Sequence, residues 1–196
     1  MNPLKWSVEK VKYIRRLLWF VASRLVMISA IVGLLVLVFY LAMNTANIYL
    51  LLSDGMKMRT GVILTREDAE ELTSFFTDEF LLSDETLAIG LSQQSPYVDY
   101  NIDSYNYEMT MEWMWAWPWE NTATATIVEK VPRIVGKVRT SSQSLVKSGA
   151  ITANPPAWYG GRYNVTLQRI NGQWKIAGLQ QTQLIIEPTP VPAQPK

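Results

Sequence analysis

The chain has 196 residues and a formal net charge of +1, and it contains neither cysteine nor histidine. This composition excludes disulfides, thiolate zinc sites, cysteine nucleophiles and every catalytic arrangement that needs a histidine base. We therefore predict a protein that is not an enzyme and that has no catalytic residue, metal site or cofactor. Once an apolar N-terminal segment is set aside, the length allows one folded domain.

Basic residues are concentrated at the N-terminus, and the remainder of the chain is mildly acidic. Glu9 is the only acidic residue among the first 24. A nucleic-acid-binding domain would carry its basic residues on the folded part, so we predict no nucleic-acid partner and a cytoplasmic basic tail over residues 1–24. The basic residues of this tail are Lys5, Lys10, Lys12, Arg15, Arg16 and Arg24.

An uncharged apolar run from Leu25 to Met43 follows the basic tail, with Gly33 near its middle. At about 1.5 Å per residue, such a run crosses the hydrocarbon core of a bilayer. We predict a single transmembrane helix over 25–43 that lies in a lipid bilayer, with the N-terminus inside and the rest outside. A cleaved signal peptide is the alternative, but the run is longer than the usual apolar region of about 7–15 residues.

The chain after the span predicts a juxtamembrane linker over 44–64, because Asp54-Gly55 interrupts the apolar pattern. An extracytoplasmic domain is predicted over 65–187. Thr65 resembles an N-cap, and the apolar spacing that follows predicts an amphipathic helix over 66–81. Ser83-Asp84-Glu85 repeats the start signal for a second, short helix.

Beyond Pro96 the apolar period changes from helical to alternating, which predicts strands. From Tyr105 to Trp117 the aromatic and methionine residues alternate with polar ones, so we predict a long strand whose apolar face, with Trp113 and Trp115, lies in the core. Met114 and Trp119 fall outside the alternation and are predicted to form an interface patch. A turn at 118–121 leads into a returning strand that runs to 138 past a bulge or edge position at Pro132.

A type I′ hairpin is predicted at Asn171-Gly172, between two alternating runs. A two-residue turn places Ile170 opposite Gln173 and Leu167 opposite Ile176. Residues 140–156 are predicted as a loop with a short helical turn at 142–146. The Pro-rich tail over 188–196 is predicted to be disordered.

These elements predict an α+β fold in which one transmembrane helix precedes two or three helices packed on a curved four-stranded antiparallel sheet. The closing segment, from Gly161-Arg162-Tyr163 to Asn171-Gly172-Gln173-Trp174, resembles the last hairpin of the nuclear-transport-factor-two-like (cystatin-like) superfamily. With the anchor added, the chain is similar to the bitopic scaffold subunits of bacterial type IV secretion and conjugation systems. The resemblance implies a cone-shaped domain, a role in assembly and the bacterial cytoplasmic membrane as the location of the anchor.

Three further residues are candidates for an interface or pocket: Trp158, Tyr159 and Arg162, which flank paired glycines before a strand. Arg162 is a candidate anion contact. Glu108 and Glu112 lie on one strand face, and we interpret them as part of a solvated surface rather than a catalytic pair. Asp99 and Asp103 are interpreted in the same way.

The function predicted from these features is that of a non-enzymatic membrane-anchored scaffold or assembly subunit, as the secretion and conjugation resemblance implies. Its predicted partners are other membrane-complex subunits, and homo-oligomerisation stays open. One alternative is a ligand-binding or enzymatic domain that uses the cone pocket lined by Trp113, Trp115 and Trp117. Another is an accessory subunit of an unrelated membrane complex.

Overall fold

The computed structural model describes the backbone of residues 3–185 and the side chains of residues 13–185. The predicted Pro-rich tail, 188–196, lies outside the described residues. The chain divides into two compact units, Met1–Asn44 and Thr45–Lys196. The boundary between them falls within the first helix, α1, which spans Pro3–Thr65.

In the first unit, helix α1 is long and apolar enough to cross a membrane. Leu25 is 59% exposed, Leu35 63% and Met43 49%, so the apolar side chains do not pack within this unit. Apart from Gly33 itself, its chain neighbours and the nearby helix backbone, no heavy atom of the described residues lies within 4 Å of the position that a Cβ on Gly33 would occupy. The predicted apolar segment is therefore a helix, and its exposed surface has the chemistry of a lipid-facing one.

In the second unit, α1 is part of the core, so the predicted juxtamembrane linker over 44–64 is wrong. Ile48, Leu52 and Met56 are fully buried in the main apolar cluster. A Cβ on Gly55 would lie 2.9 Å from the Cβ of Phe75. The glycine permits close packing of the helix rather than breaking it, because burial of the flanking apolar residues outweighs its low helix propensity.

The predicted helix over 66–81 is also wrong, because Thr65 ends α1 instead of starting a new helix. Arg66 adopts the left-handed conformation with a φ of 60°, which stops the helix. A 3₁₀ turn, Glu70–Ser74, and a short helix α2, Asp78–Ser83, follow. The second start signal is confirmed, since the Asp84 side chain caps helix α3, Glu85–Leu91, by accepting a hydrogen bond from the Leu87 N–H.

Four antiparallel strands form an open sheet in the order β1-β2-β3-β4, which confirms the coarse α+β prediction. The predicted loop between the two hairpins contains a 3₁₀ turn and a short helix α4, Gln143–Lys147. Pro132 lies at a shift in the β1–β2 register, as predicted. The strands span Tyr100–Ala116 (β1), Thr122–Val138 (β2), Gly160–Ile170 (β3) and Gln173–Ile185 (β4).

The predicted closing hairpin is confirmed in detail. Asn171 and Gly172 both have positive φ, 51° and 83°, as a type I′ turn requires. Ile170 pairs with Gln173, and Leu167 pairs with Ile176. Leu167 and Ile176 are fully buried, so this register places the apolar side chains on the inner face of the sheet, which packs against α1.

The buried position of α1 leads to a prediction about stability. Leu52→Ala should lower the free energy of unfolding by about 3 kcal/mol, because it leaves a cavity in the core. Leu50→Ala is the matched control, since Leu50 belongs to the same helix and is 57% exposed. Denaturant unfolding of the detergent-solubilised protein measures both, and equal losses would contradict the assignment of residues 45–65 to the core.

Candidate functional site

A β-bulge in β1 reverses the two faces of the strand at Glu112. Met111 pairs with Ile127, but Trp113 pairs with Thr126, so Glu112 is an extra residue without a partner in the register. One extra residue moves every later side chain to the opposite face of the sheet. Met111 therefore points inward, whereas Trp113 points outward.

The bulge places the tryptophans on the surface, so the predicted core positions of Trp113, Trp115 and Trp117 are wrong. Their exposed fractions are 52%, 51% and 41%. Met114 is half-buried and packs against the apolar cluster, which contradicts its predicted place in an exposed patch. Trp119 is 72% exposed, as predicted.

These four exposed tryptophans follow one another at every second residue and are here called the tryptophan ladder: Trp113, Trp115, Trp117 and Trp119. The ring centroids of Trp115 and Trp117 lie 5.1 Å apart in an edge-to-face arrangement. Those of Trp117 and Trp119 lie 5.0 Å apart and are stacked. Such contacts hold the rings in place before any partner binds.

Polar side chains extend the ladder across the outer face of the sheet, which is the face opposite α1. Thr126 pairs with Trp113 on one side and with Asn164 on the other, and its hydroxyl donates a hydrogen bond to the Asn164 Oδ1 at 3.2 Å. Arg162 donates to the Glu112 Oε1 at 2.6 Å. The outer face therefore combines exposed indole rings with a neighbouring set of hydroxyl, amide and charged groups.

On the inner face, a cluster of buried polar groups joins α1 to the rest of the second unit. The Arg59 guanidinium forms an ion pair with Asp84, with contacts of 2.6 and 2.9 Å. The adjacent Thr60 hydroxyl donates to the Glu129 Oε1 at 2.5 Å. Glu129 is fully buried, and its Oε2 has no hydrogen-bond partner among the described residues.

Burial raises the pKa of the Glu129 carboxyl above its ordinary value, although the Thr60 hydrogen bond and the nearby Arg59 charge act in the opposite direction. Burial and the neighbouring Glu129 also raise the pKa of Tyr163 to about 12. For Arg59, burial lowers the pKa, but the hydrogen bond and charge of Asp84, together with the nearby charge of Glu129, outweigh burial and raise the pKa above its ordinary value. The cluster fixes the position of α1, and its described residues include no group of three metal ligands.

The other predicted site residues do not come together in one site. Trp158 stacks on Tyr97, with ring centroids 6.4 Å apart, and packs against the apolar clusters. Tyr159 is 59% exposed. The Arg162 guanidinium is paired with Glu112, so the predicted anion contact already has a carboxylate partner within the chain.

The paired glycines, predicted to precede a strand, are the first two residues of β3 and serve the sheet itself. A Cβ on Gly160 would lie 2.5 Å from the Glu129 carbonyl oxygen, so the glycine allows close approach of β2. The acidic residues have structural partners. Glu108 lies opposite Lys130 in the register, and the Asp99 Oδ1 accepts a hydrogen bond from Ser142 at 2.6 Å.

The sequence contains a signal for the buried carboxylate that the prediction overlooked. Glu129 continues the alternation of Ala123, Ala125 and Ile127, all of which point inward. Arg59 lies three residues after the buried Met56 on the same helix face. Polar residues in phase with an apolar pattern indicate buried interactions.

No protein-family model matches the sequence, and searches of curated proteins and of solved structures also find no match.

The raised pKa of Glu129 leads to a prediction about pH. The folded protein binds this proton more tightly than the unfolded chain, so stability from this group falls as the pH rises from the ordinary value of 4.5 towards the raised pKa. Glu129→Gln removes this loss, by about 1.4 kcal/mol for each unit of the shift. Relative to wild type, the variant should gain stability between pH 4.5 and neutral pH.

Ile127→Val is the control for that measurement, because Ile127 is fully buried two residues before Glu129 on the same strand and carries no titratable group. Its difference from wild type should stay constant over the same pH range. Unfolding curves at several pH values decide the matter: a pH-independent difference for Glu129→Gln would contradict the assigned burial of the carboxyl group.

Proposed function

We propose that this protein is a non-enzymatic, membrane-anchored scaffold or assembly subunit that docks another subunit of a membrane complex on the outer face of its sheet. The observation that carries the proposal is the tryptophan ladder, which the bulge at Glu112 turns away from the core. The apolar part of α1, residues 25–43, supplies the anchor. Membership of a secretion or conjugation complex is supported only by the resemblance of the chain to such scaffold subunits.

An indole ring that is left in water is energetically unfavourable. Tryptophan carries a large apolar area, and it is among the residues that contribute most to binding when they are buried in an interface. Trp113 and Trp115 are each about half exposed, whereas another aromatic residue, Phe76, is fully buried in the core. A partner that covers Trp113 and Trp115 regains this apolar area.

The surroundings of the ladder fit a protein partner. Interfaces have an apolar centre and a polar rim that provides hydrogen bonds. On the outer face, Thr124, Thr166 and Asn164 are exposed and lie in the rows that begin at Trp113 and Trp115. These hydroxyl and amide groups are therefore available to a partner that covers the indole rings.

The exposed positions of three tryptophans disagree with the alternative of a ligand pocket inside the cone. It required Trp113, Trp115 and Trp117 to line the interior, and all three lie outside. The inner face of β2 is filled by side chains such as Ile127 and Glu129, which are fully buried. An accessory subunit of a different membrane complex would use the same anchor and surface, so the identity of the partner separates these two proposals.

For the fold, we infer a variant of the nuclear-transport-factor-two-like cone. Helices on one face of a four-stranded antiparallel sheet and bulges that bend β1 support this inference. An experimental structure that superposes on members of that superfamily over helices and sheet would support it. If the strands of those members are connected in a different order from β1-β2-β3-β4, that difference would count against the inference.

Photo-crosslinking in cells tests the proposed docking surface. A photoreactive residue at Thr124, which pairs with Trp115, should capture a membrane-complex subunit that mass spectrometry identifies. Trp115→Ala should weaken this complex by about 2 kcal/mol, or about 30-fold in affinity, because a buried indole contributes on this scale. The yield of the crosslinked product should therefore fall in the Trp115→Ala variant.

Two controls make the crosslinking interpretable. A photoreactive residue at Leu82, which is 91% exposed and away from the ladder, should give no such product. Tyr159→Ala, a change at an exposed aromatic residue outside the ladder, should leave the Thr124 product unchanged. Equal capture from Leu82 and Thr124 would contradict the proposal, and capture of a second copy alone would replace it by self-association.

Cysteine labelling tests the proposed topology, because the chain contains no cysteine. Cysteines introduced at Ser7 and Ser144 should react with an impermeant reagent from opposite sides of the membrane. Ser144 is exposed, whereas the nearby Ser142 is buried and bonded to Asp99. Labelling of both positions from outside intact cells would show that the proposed orientation is incorrect.

A further inference from the structure

The turn between β1 and β2 exposes the last two tryptophans of the ladder. Trp117 is 41% exposed, and Trp119, at 72%, is the most exposed tryptophan among residues 45–185. The only charged side chain in the turn, residues 117–121, is that of Glu120. The turn therefore presents two stacked indole rings to its surroundings, with one charged side chain beside them.

The position of this turn within the second unit follows from the contacts of α1 along the sheet. Leu64 packs in one cluster with Val131, just past the middle of β2 as seen from the turn. Thr60 bonds to Glu129, closer to the turn. Following α1 towards its N-terminus thus moves along β2 towards the turn.

A third contact extends this direction. A Cβ on Gly55 would lie 3.3 Å from the Cδ1 of Ile176. Ile176 belongs to a row that runs across the sheet through Leu167 and Ala123 to Ala116, the last residue of β1. The chain therefore enters this unit, at Thr45, from the same end of the sheet as the β1–β2 turn.

Chain connectivity brings that end close to a bilayer. The apolar span predicted from the sequence ends at Met43, two residues before Thr45. Two residues reach at most about 7 Å, which is comparable to the polar interfacial layer on each side of the hydrocarbon core. This proximity to the bilayer rests on the proposed function, in which residues 25–43 anchor the chain in a membrane.

The chemistry of the turn fits the interfacial layer. Indole has a large apolar ring and one N–H donor, so tryptophan is enriched where hydrocarbon meets headgroups. Because Glu120 is the only charge in the turn, attraction to anionic lipid cannot drive the contact. We propose that Trp117 and Trp119 insert into the headgroup layer of the membrane to which the chain is anchored.

Spin-label accessibility of the full-length protein in phosphatidylcholine vesicles tests this insertion. A nitroxide attached after Glu120→Cys should collide with a water-soluble nickel complex several-fold less often than one attached after Ser144→Cys. Ser144 is exposed and lies beyond the opposite end of β2. Trp119→Ser should return the label at position 120 to the accessibility of the label at position 144.

Trp113→Ser is the matched control, because Trp113 belongs to the ladder but lies further from the turn. It should leave the accessibility at position 120 unchanged, as should the addition of anionic phosphatidylglycerol. Equal accessibility at positions 120 and 144 in the wild-type protein would overturn the proposal. Protection that rises with the protein-to-lipid ratio would also overturn it, because it indicates contact between copies.

Failure of the anchor would give a different result. A chain without a membrane anchor would remain in the aqueous fraction when the vesicles are floated, and neither label would be associated with lipid. Failure of the interfacial contact alone would leave the protein in the vesicles with the label at position 120 fully exposed to the nickel complex. Circular dichroism of Trp119→Ser verifies that the variant is folded.

Discussion

The second unit depends on the packing of the last turns of α1 against the inner face of the sheet. Without residues 45–65, the inner face would expose the side chains of Ile127, Leu167 and Ile176, which are now fully buried. A four-stranded sheet with one uncovered apolar face is not stable in water. The short helices that follow α1 are too small to cover that face, so α1 is the element around which the domain is built.

The buried polar groups make this packing specific. An apolar helix face can rotate or shift on a sheet at low cost, but the Arg59–Asp84 ion pair and the Thr60–Glu129 hydrogen bond require one position. A shift of one turn would leave charges buried without partners, which is strongly unfavourable. The buried carboxyl of Glu129 thereby favours a single arrangement of α1 on the sheet.

The sequence predicted what is decided locally. The Asn171-Gly172 hairpin was correct to the residue because the turn type alone sets the register. The cap at Asp84 was likewise a local signal. Two features escaped prediction because they depend on distant parts of the chain. The sequence predicts a break at Gly55, but the close approach of Phe75 accounts for a glycine at this position. The bulge at Glu112 is visible only in the pairing of β1 with β2.

The bulges of β1 also limit how strands of other molecules can pair with the edge of the sheet. β1 is an edge strand, and three register shifts divide its pairing with β2 into stretches of at most four residues, such as 108–111 and 113–116. A foreign strand that approached this edge would lose its hydrogen-bond register after one such stretch. The protein can therefore display four tryptophans beside an open edge and still resist the edge-to-edge stacking from which fibrils grow.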